Sequence, residues 1–181
     1  MTVHSADSKK QILHKNSKPQ GKNEHFICDP YIHYKRLGRE FAMQYLFQCD
    51  LRTGFFEPDT LDYFWEQAVE SGAFSIDRTF RKAKEYAERL IGLVQEHETE
   101  LMDKMTVLSK RWDVERMSSV DRNILKVAIA EMHFCHDIPL LVSINEAIEI
   151  SKDYSDSNSG IFINGILNEV KNIIESSPKR N

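Results

Sequence analysis

Beyond residue 30, apolar residues recur at three- and four-residue steps, the spacing that gathers them on one face of an α-helix. The first such stripe consists of Leu37, Phe41, Tyr45 and Leu46. It predicts a helix over about residues 32–51. Gly54 and Pro58 then indicate a loop, because glycine and proline interrupt helical periodicity.

Three more helices are predicted in the middle of the chain, over residues 59–71, over residues 75–97, and around Leu101 and Met105. The longest of them has an apolar stripe made of Phe80, Ala83, Ala87, Leu90, Ile91 and Val94. Several aromatic residues of this region suggest either a ligand groove or a core: Phe55, Phe56, Phe64, Trp65 and Phe74. Because apolar residues at helical spacing usually form the buried face of a helix, we interpret them as core.

The C-terminal third predicts three helices with clear ends. Ser118 is a suitable N-cap, and Asp121 three residues later makes a variant of the capping box. Pro139 suits the first turn of the next helix, whose predicted buried face comprises Leu141, Ile144, Ala147, Ile148 and Ser151. A last helix contains Phe162 and runs until Pro178. No segment alternates with period two, so the predicted fold is an all-α bundle of about seven helices.

Composition and charge divide the chain into two parts. Residues 1–30 are polar and rich in lysine, and we expect a flexible, disordered tail there, followed by one helical domain over residues 31–177. The formal net charge is −4, but the first 50 residues carry +3 and the remainder −7. A nucleic-acid contact would therefore need a local basic patch near the N-terminus.

Cysteine usage and hydropathy indicate a cytoplasmic protein. The three cysteines, Cys28, Cys49 and Cys135, have no CxxC spacing, which favours reduced thiols over a disulfide framework. No apolar run approaches the roughly 20 residues that span a bilayer, and the N-terminus lacks a signal-peptide core.

Catalytic and metal-binding patterns are sparse. There is no glycine-rich phosphate loop, no GxSxG and no HExxH motif, so we expect neither an enzyme nor a cofactor. His133, Cys135 and His136 are candidate zinc ligands, with His97 as a distant fourth. We expect no metal site, because these residues lack the paired ligand spacing of zinc sites.

Two segments are candidates for RNA contact. Lys35 and Arg39 lie four residues apart on one helical face, with Arg36 beside them, and such cations neutralise phosphates or stack on bases. The alternative is an ordinary solvated helix start. Residues 155–162 combine small polar side chains with Phe162, which suits single-stranded RNA and base stacking. The alternative is a plain interhelical loop with Phe162 in the core.

Four stretches, in order, resemble the NusB family. They are residues 38–47 (GREFAMQYLF), residues 119–125 (SVDRNIL), residues 143–152 (SINEAIEISK, after Pro139) and residues 162–167 (FINGIL). The combination of INEAxExxK followed by FxNG is the most specific part of this resemblance, which extends over about residues 34–176.

The resemblance implies a compact bundle of seven helices in two subdomains. It also implies a transcription antitermination factor that binds boxA-type elements of nascent ribosomal RNA together with NusE, a small-subunit ribosomal protein, and joins RNA polymerase. Carried over residue by residue, Lys35, Arg36 and Arg39 fall in the RNA-contacting basic run and Phe162 borders the second RNA-contacting loop. Phe47 falls where the family presents an aromatic ring to the ribosomal protein.

The sequence also departs from the family pattern. Leu37 and Gly38 stand where other members often have arginine, and Ile161 stands where lysine or arginine is common. A helical protein-binding scaffold with weak or lost RNA binding is therefore the alternative function. An RNA methyltransferase with the same helical domain is disfavoured, since we expect no room for a cofactor-binding domain. Some family members self-associate, so the sequence leaves open whether this chain forms a homodimer.

Overall fold

The structure, a computed structural model, describes residues 34–52, 58–109 and 117–177; the predicted tail, with Phe55 and Phe56, lies outside these ranges. The described residues form seven α-helices and no strand: α1 (Tyr34–Leu51), α2 (Pro58–Glu70), α3 (Arg78–Glu96), α4 (Glu98–Ser109), α5 (Ser119–Phe134), α6 (Leu140–Tyr154) and α7 (Ser159–Ser176). The predicted all-α class and its helix number are confirmed. None of these helices combines the length and apolar composition that crossing a membrane requires.

Two groups of helices share α5 as their common contact. In the first group α1 packs along α3, and in the second α6 packs along α7. Helix α5 touches all four of them, and its residues 123–132 are buried on every side. A helix surrounded by neighbours needs apolar residues around its whole circumference, and α5 meets that requirement with a few exceptions that matter for the site.

Helix α2 is attached through aromatic side chains. The rings of Phe64 and Trp65 meet the Phe41 ring edge-on, with centroids 6.4 and 5.3 Å away. Phe74 approaches the same ring at 5.1 Å. Offset and edge-to-face contacts are the favourable arrangements for aromatic rings. The interpretation of Phe64, Trp65 and Phe74 as core is therefore confirmed.

Side-chain caps begin two of the helices. Asp77 Oδ1 accepts a hydrogen bond from the Phe80 backbone N–H at 2.8 Å, which starts α3. Ser118 Oγ accepts from the Asp121 N–H at 3.0 Å and starts α5, as predicted. Each bond satisfies a backbone donor that has no partner within its own helix.

The predicted buried face of α6 is wrong at Leu141, whose side chain is 58% exposed. The observed stripe is centred on Ser143, Ala147 and Ile150. At about 100° per residue, Leu140 lies almost in line with Ala147 along the helix, while Leu141 is rotated about 120° away. Leucines at both positions made the register ambiguous in sequence.

Gly38 permits the close approach of α1 and α3. A Cβ atom at this position would lie 2.9 Å from the carbonyl oxygen of Ala83 and 3.0 Å from Cδ1 of Tyr86. Side chains in well-packed interiors leave no room for such an atom without a shift of backbone. The absence of arginine at residue 38 is therefore a packing requirement of this interface.

We predict that Gly38→Ala destabilises the protein by about 1–3 kcal/mol, because the added methyl forces α1 away from α3. Gly92→Ala is the matched control: it lies within α3, and nothing stands within 4 Å of its added Cβ. That variant should be neutral or more stable by up to about 1 kcal/mol, since alanine favours helix. Urea unfolding of both variants measures the difference, and equal stabilities would contradict the close packing at Gly38.

Candidate nucleic-acid interface

The basic run begins at the first turn of α1. Lys35 Nζ lies 3.1 Å from Asp137 Oδ2 and 5.4 Å from the centre of the Tyr86 ring. Arg36 faces three carboxylates: Nε lies 2.8 Å from Glu40, and its terminal nitrogens lie 3.5 Å from Glu146 and 3.4 Å from Asp153. Both side chains keep about a fifth of their surface exposed (20% and 18%), so they reach solvent from within a set of ion pairs.

Arg39, which the sequence predicted on an exposed face with Lys35, lies in the interior instead. Its side chain is only 5% exposed, and Nε donates to both oxygens of Glu131, at 2.9 and 3.1 Å. Nη1 donates to Glu146 Oε2 at 3.3 Å. In this arrangement the Arg39 side chain is buried and bound by two carboxylates, and its predicted contact with RNA stays a prediction.

Glu131 is the centre of a buried polar network. Its carboxylate, fully buried on α5, accepts hydrogen bonds from Arg39 on α1, from the Tyr86 hydroxyl on α3, and from Ser143 Oγ on α6 at 2.5 Å. Burial, together with the bond to Glu131, raises the pKa of Tyr86 far above its ordinary value, so the hydroxyl remains a donor. The sequence carried one signal for this network, a single acid inside the apolar run of α5.

Asp121 ties the second candidate segment to the bundle. In the usual capping box its carboxylate would return to the N-cap N–H. Instead, its two oxygens accept from Ser155 Oγ at 2.6 Å and Ser159 Oγ at 3.1 Å. The start of α5 therefore holds both ends of the short loop between α6 and α7.

Phe162 and its neighbour lie in the first turn of α7, after that loop. Phe162 is partly buried and packs against the core, whereas Ile161 is 70% exposed. The stacking role predicted for Phe162 stays a prediction, with part of the ring accessible beside the loop.

The contact between Arg36 and Asp153 brings the two candidate segments together. Asp153 precedes Ser155, the first loop residue, by two positions, so the start of α1 lies beside the loop. The Tyr154 hydroxyl strengthens this junction: it accepts a hydrogen bond from Gln44 Nε2 at 3.1 Å and donates one to Glu40 Oε2 at 3.4 Å. Burial raises the pKa of the Glu40 carboxyl, although Arg36 donates to it. Sequence reasoning missed Asp137 and Asp153, since their distance from the basic run in the chain gave no signal.

Phe47 lies farther along α1, about 16 Å from Arg36 at 1.5 Å per residue. It is partly buried and is not among the described side chains that build the core. One turn later, Asp50 accepts from Arg122 at 3.0 Å and from Asn123 at 2.9 Å, which joins the end of α1 to the start of α5.

The candidate zinc ligands lie in different environments and do not converge on one point. The His133 Nε2 atom lies 3.2 Å from Lys104 Nζ, while Cys135 is buried and His136 is exposed. His97 stacks on Phe134, with ring centroids 4.0 Å apart. Burial, with the nearby Lys104 charge, lowers the pKa of His133. In the three described ranges, no group of three His, Cys, Asp or Glu side chains is placed to hold a metal ion.

Comparison with known proteins supplies matches over the same helices. The model of the NusB family matches residues 36–172. A transcription antitermination protein NusB from Trichlorobacter lovleyi is 41% identical over 145 residues, which cover 80% of this chain and 92% of that protein.

Two solved structures extend the comparison. T. maritima NusB superposes with a TM-score of 0.64 at 36% identity, over 80% of this chain and 94% of the other. A chain from the crystal structure of antitermination factors NusB and NusE in complex with dsRNA has a TM-score of 0.61 at 24% identity, over 78% of this chain and 98% of the other. At that identity the second likeness concerns the fold alone.

We predict that Glu131→Gln lowers the free energy of unfolding by about 3–5 kcal/mol, because it removes the fully buried carboxylate of Arg39 and leaves the buried guanidinium only the partly exposed Glu146 among the described residues. Glu88→Gln is the control: its side chain is 41% exposed and pairs with Lys84, 39% exposed on the same helix, at 3.8 Å. Loss of that pair should cost less than about 1 kcal/mol. Chemical unfolding of both variants, followed by circular dichroism, tests this, and a similar loss in both would argue against a special cost at Glu131.

Proposed function

The chain belongs to the NusB family, and we propose that it is a transcription antitermination factor that binds boxA-type RNA together with NusE. The observation that carries this proposal is the meeting of the basic run with the loop after α6, through Arg36 and Asp153. One surface then combines cations, small polar side chains and an aromatic ring. Single-stranded RNA is recognised by this combination, since its phosphates, base edges and base faces are all accessible.

In the proposed complex, Lys35 and Arg36 contact RNA phosphates and Phe162 offers its ring edge or face to a base. Arg39 acts indirectly: its bonds to Glu131 and Glu146 fix the first turns of α1 and so orient the two preceding cations. The proposed RNA-binding domain spans residues 31–177, with residues 1–30 as a separate N-terminal extension. Such a factor works by binding, without catalysis, in the cytoplasm where RNA polymerase acts.

Phe47 is the proposed contact for NusE, the ribosomal protein. A partly buried aromatic side chain outside the core has surface left to bury against a partner, and aromatic residues are enriched at such contacts. Its distance along α1 from the basic run separates the protein contact from the RNA contact.

A second function is favoured by one observation. Lys35 and Arg36, the two cations of the basic run that reach solvent, are already paired with carboxylates. Paired cations neutralise fewer phosphates, so a protein-binding scaffold that binds RNA weakly or not at all is the alternative.

A competition assay separates these two functions. We predict that the full chain with NusE binds boxA-type RNA roughly tenfold or more tightly than a scrambled RNA of equal length. Lys35→Gln should weaken binding to both RNAs and reduce the slope of log affinity against log salt by about 0.7, because one phosphate contact is lost. Lys84→Gln, which removes a lysine paired with Glu88 on α3, is the control and should change neither quantity.

Binding of NusE without preference between the two RNAs would favour the scaffold. Absence of any RNA binding, with NusE bound, would reject the antitermination proposal in this form.

The protein contact has its own test. We predict that Phe47→Ala weakens NusE binding by roughly tenfold or more, as expected for an aromatic side chain at the centre of an interface. RNA affinity measured without NusE should stay the same, since the ring lies away from the basic run. Tyr63→Ala, which removes a 43% exposed ring from α2, is the control, and calorimetry that finds equal NusE affinities for both variants would contradict the assignment.

A further inference from the structure

At the surface, the two cations of the basic run that reach solvent, Lys35 and Arg36, each form an ion pair with an exposed carboxylate. Asp137, in the turn between α5 and α6, pairs with Lys35, and Asp153, near the end of α6, pairs with Arg36. Their side chains are 51% and 64% exposed, respectively. The hydrogen bond from Lys35 lowers the pKa of Asp137, so that carboxyl is charged at neutral pH. An approaching RNA therefore meets both cations with a negative group already beside them.

Phosphate and carboxylate present the same kind of anionic oxygen to ammonium and guanidinium groups. An exposed ion pair contributes little stability, because water and salt compete for both charges. A backbone phosphate is thus able to replace Asp137 or Asp153 at its cation. The displaced carboxylate remains nearby and repels the phosphate that replaced it.

The inner carboxylates have a different role. The side chains of Glu40 and Glu146 are 17% and 28% exposed and hold Arg36 on the side of the bundle. Because these bonds persist without Asp153, removal of Asp153 leaves Arg36 anchored. Arg36 can then meet a phosphate in its present orientation.

The two exposed carboxylates also differ from each other. Asp137 has a second partner, Arg89, at 3.3 Å, so its charge stays compensated when Lys35 turns to RNA. Among the described residues, Asp153 pairs with Arg36 alone. Displacement should therefore cost more at Asp153.

Building on the RNA-binding function proposed above, we propose that Asp137 and Asp153 compete internally with RNA phosphates for Lys35 and Arg36. They hold the RNA affinity of the free protein low, so that stable binding depends on contacts made elsewhere, at the loop after α6 and by the protein partner. Phosphates carry no sequence information, so this competition lowers the affinity for every RNA by the same factor.

The test measures RNA affinity of the full chain, with and without NusE, for Asp153→Asn, Asp137→Asn and the double variant. We expect Asp153→Asn to bind roughly two- to fivefold more tightly and Asp137→Asn roughly twofold, as for loss of an exposed charge pair. The gains should multiply in the double variant. The affinities for boxA-type and scrambled RNA should rise by the same factor. The salt dependence of binding should steepen as the freed cations neutralise phosphate.

Glu149→Gln is the matched control. Glu149 lies on α6, is 52% exposed and pairs with Lys152, and its substitution makes the same change in net charge. Any gain in this variant measures the general field near Arg36, and we expect it to be below twofold. Thermal midpoints of all variants show whether the fold is unchanged.

The outcomes distinguish this inference from the function on which it rests. If the unaltered chain binds RNA and the aspartate variants gain no more than Glu149→Gln, the competition is refuted while RNA binding stands. A gain confined to boxA-type RNA also refutes it, because base readout would then be involved. A double variant that binds where the unaltered chain does not supports it, and absence of binding by every variant overturns both proposals.

Discussion

The buried ion pair between Arg39 and Glu131 is the contact on which the arrangement of both helix groups depends. Removing a carboxylate from water costs several kcal/mol unless partners replace the lost hydration. Glu131 obtains those partners from three other helices, through Arg39, Tyr86 and Ser143. Since the donors come from α1, α3 and α6, the charge is satisfied only when all three helices are in place. The pair thus selects one packing of the bundle, whatever its net contribution to stability.

The same ion pair determines what the start of α1 presents to solvent. With Arg39 turned inward, helix geometry puts Lys35 about 40° to one side of it and Arg36 about 60° to the other, one turn nearer the end of the bundle. Long side chains in such positions pack their apolar stems against the edge of the buried core and keep their charged ends near water. There they meet Asp137, in the turn before α6, and Asp153, near the end of α6. The interior thereby fixes both the cations and the carboxylates that oppose them.

Helical periodicity and capping residues predicted most of the fold, because both are local properties. The Ser118 cap and the seven helices follow from spacings within one or two turns. The position of Arg39 did not follow, since its four-residue spacing from Lys35 suits an exposed face as well as a buried one. Its partner Glu131 stands 92 residues later. The packing demand at Gly38 was equally hidden, because it depends on the backbone of α3.

The first turn of α5 joins the two surfaces of the proposed function. On one side Asp121 accepts from Ser155 and Ser159 and so holds the loop after α6. On the other side, Arg122 and Asn123 donate to Asp50, one turn beyond Phe47. Side chains at three consecutive positions of one helix thus set the separation between the proposed RNA segment and the proposed protein contact. A factor that must hold both ligands at once benefits from this, because a preformed geometry reduces the ordering cost of binding the second.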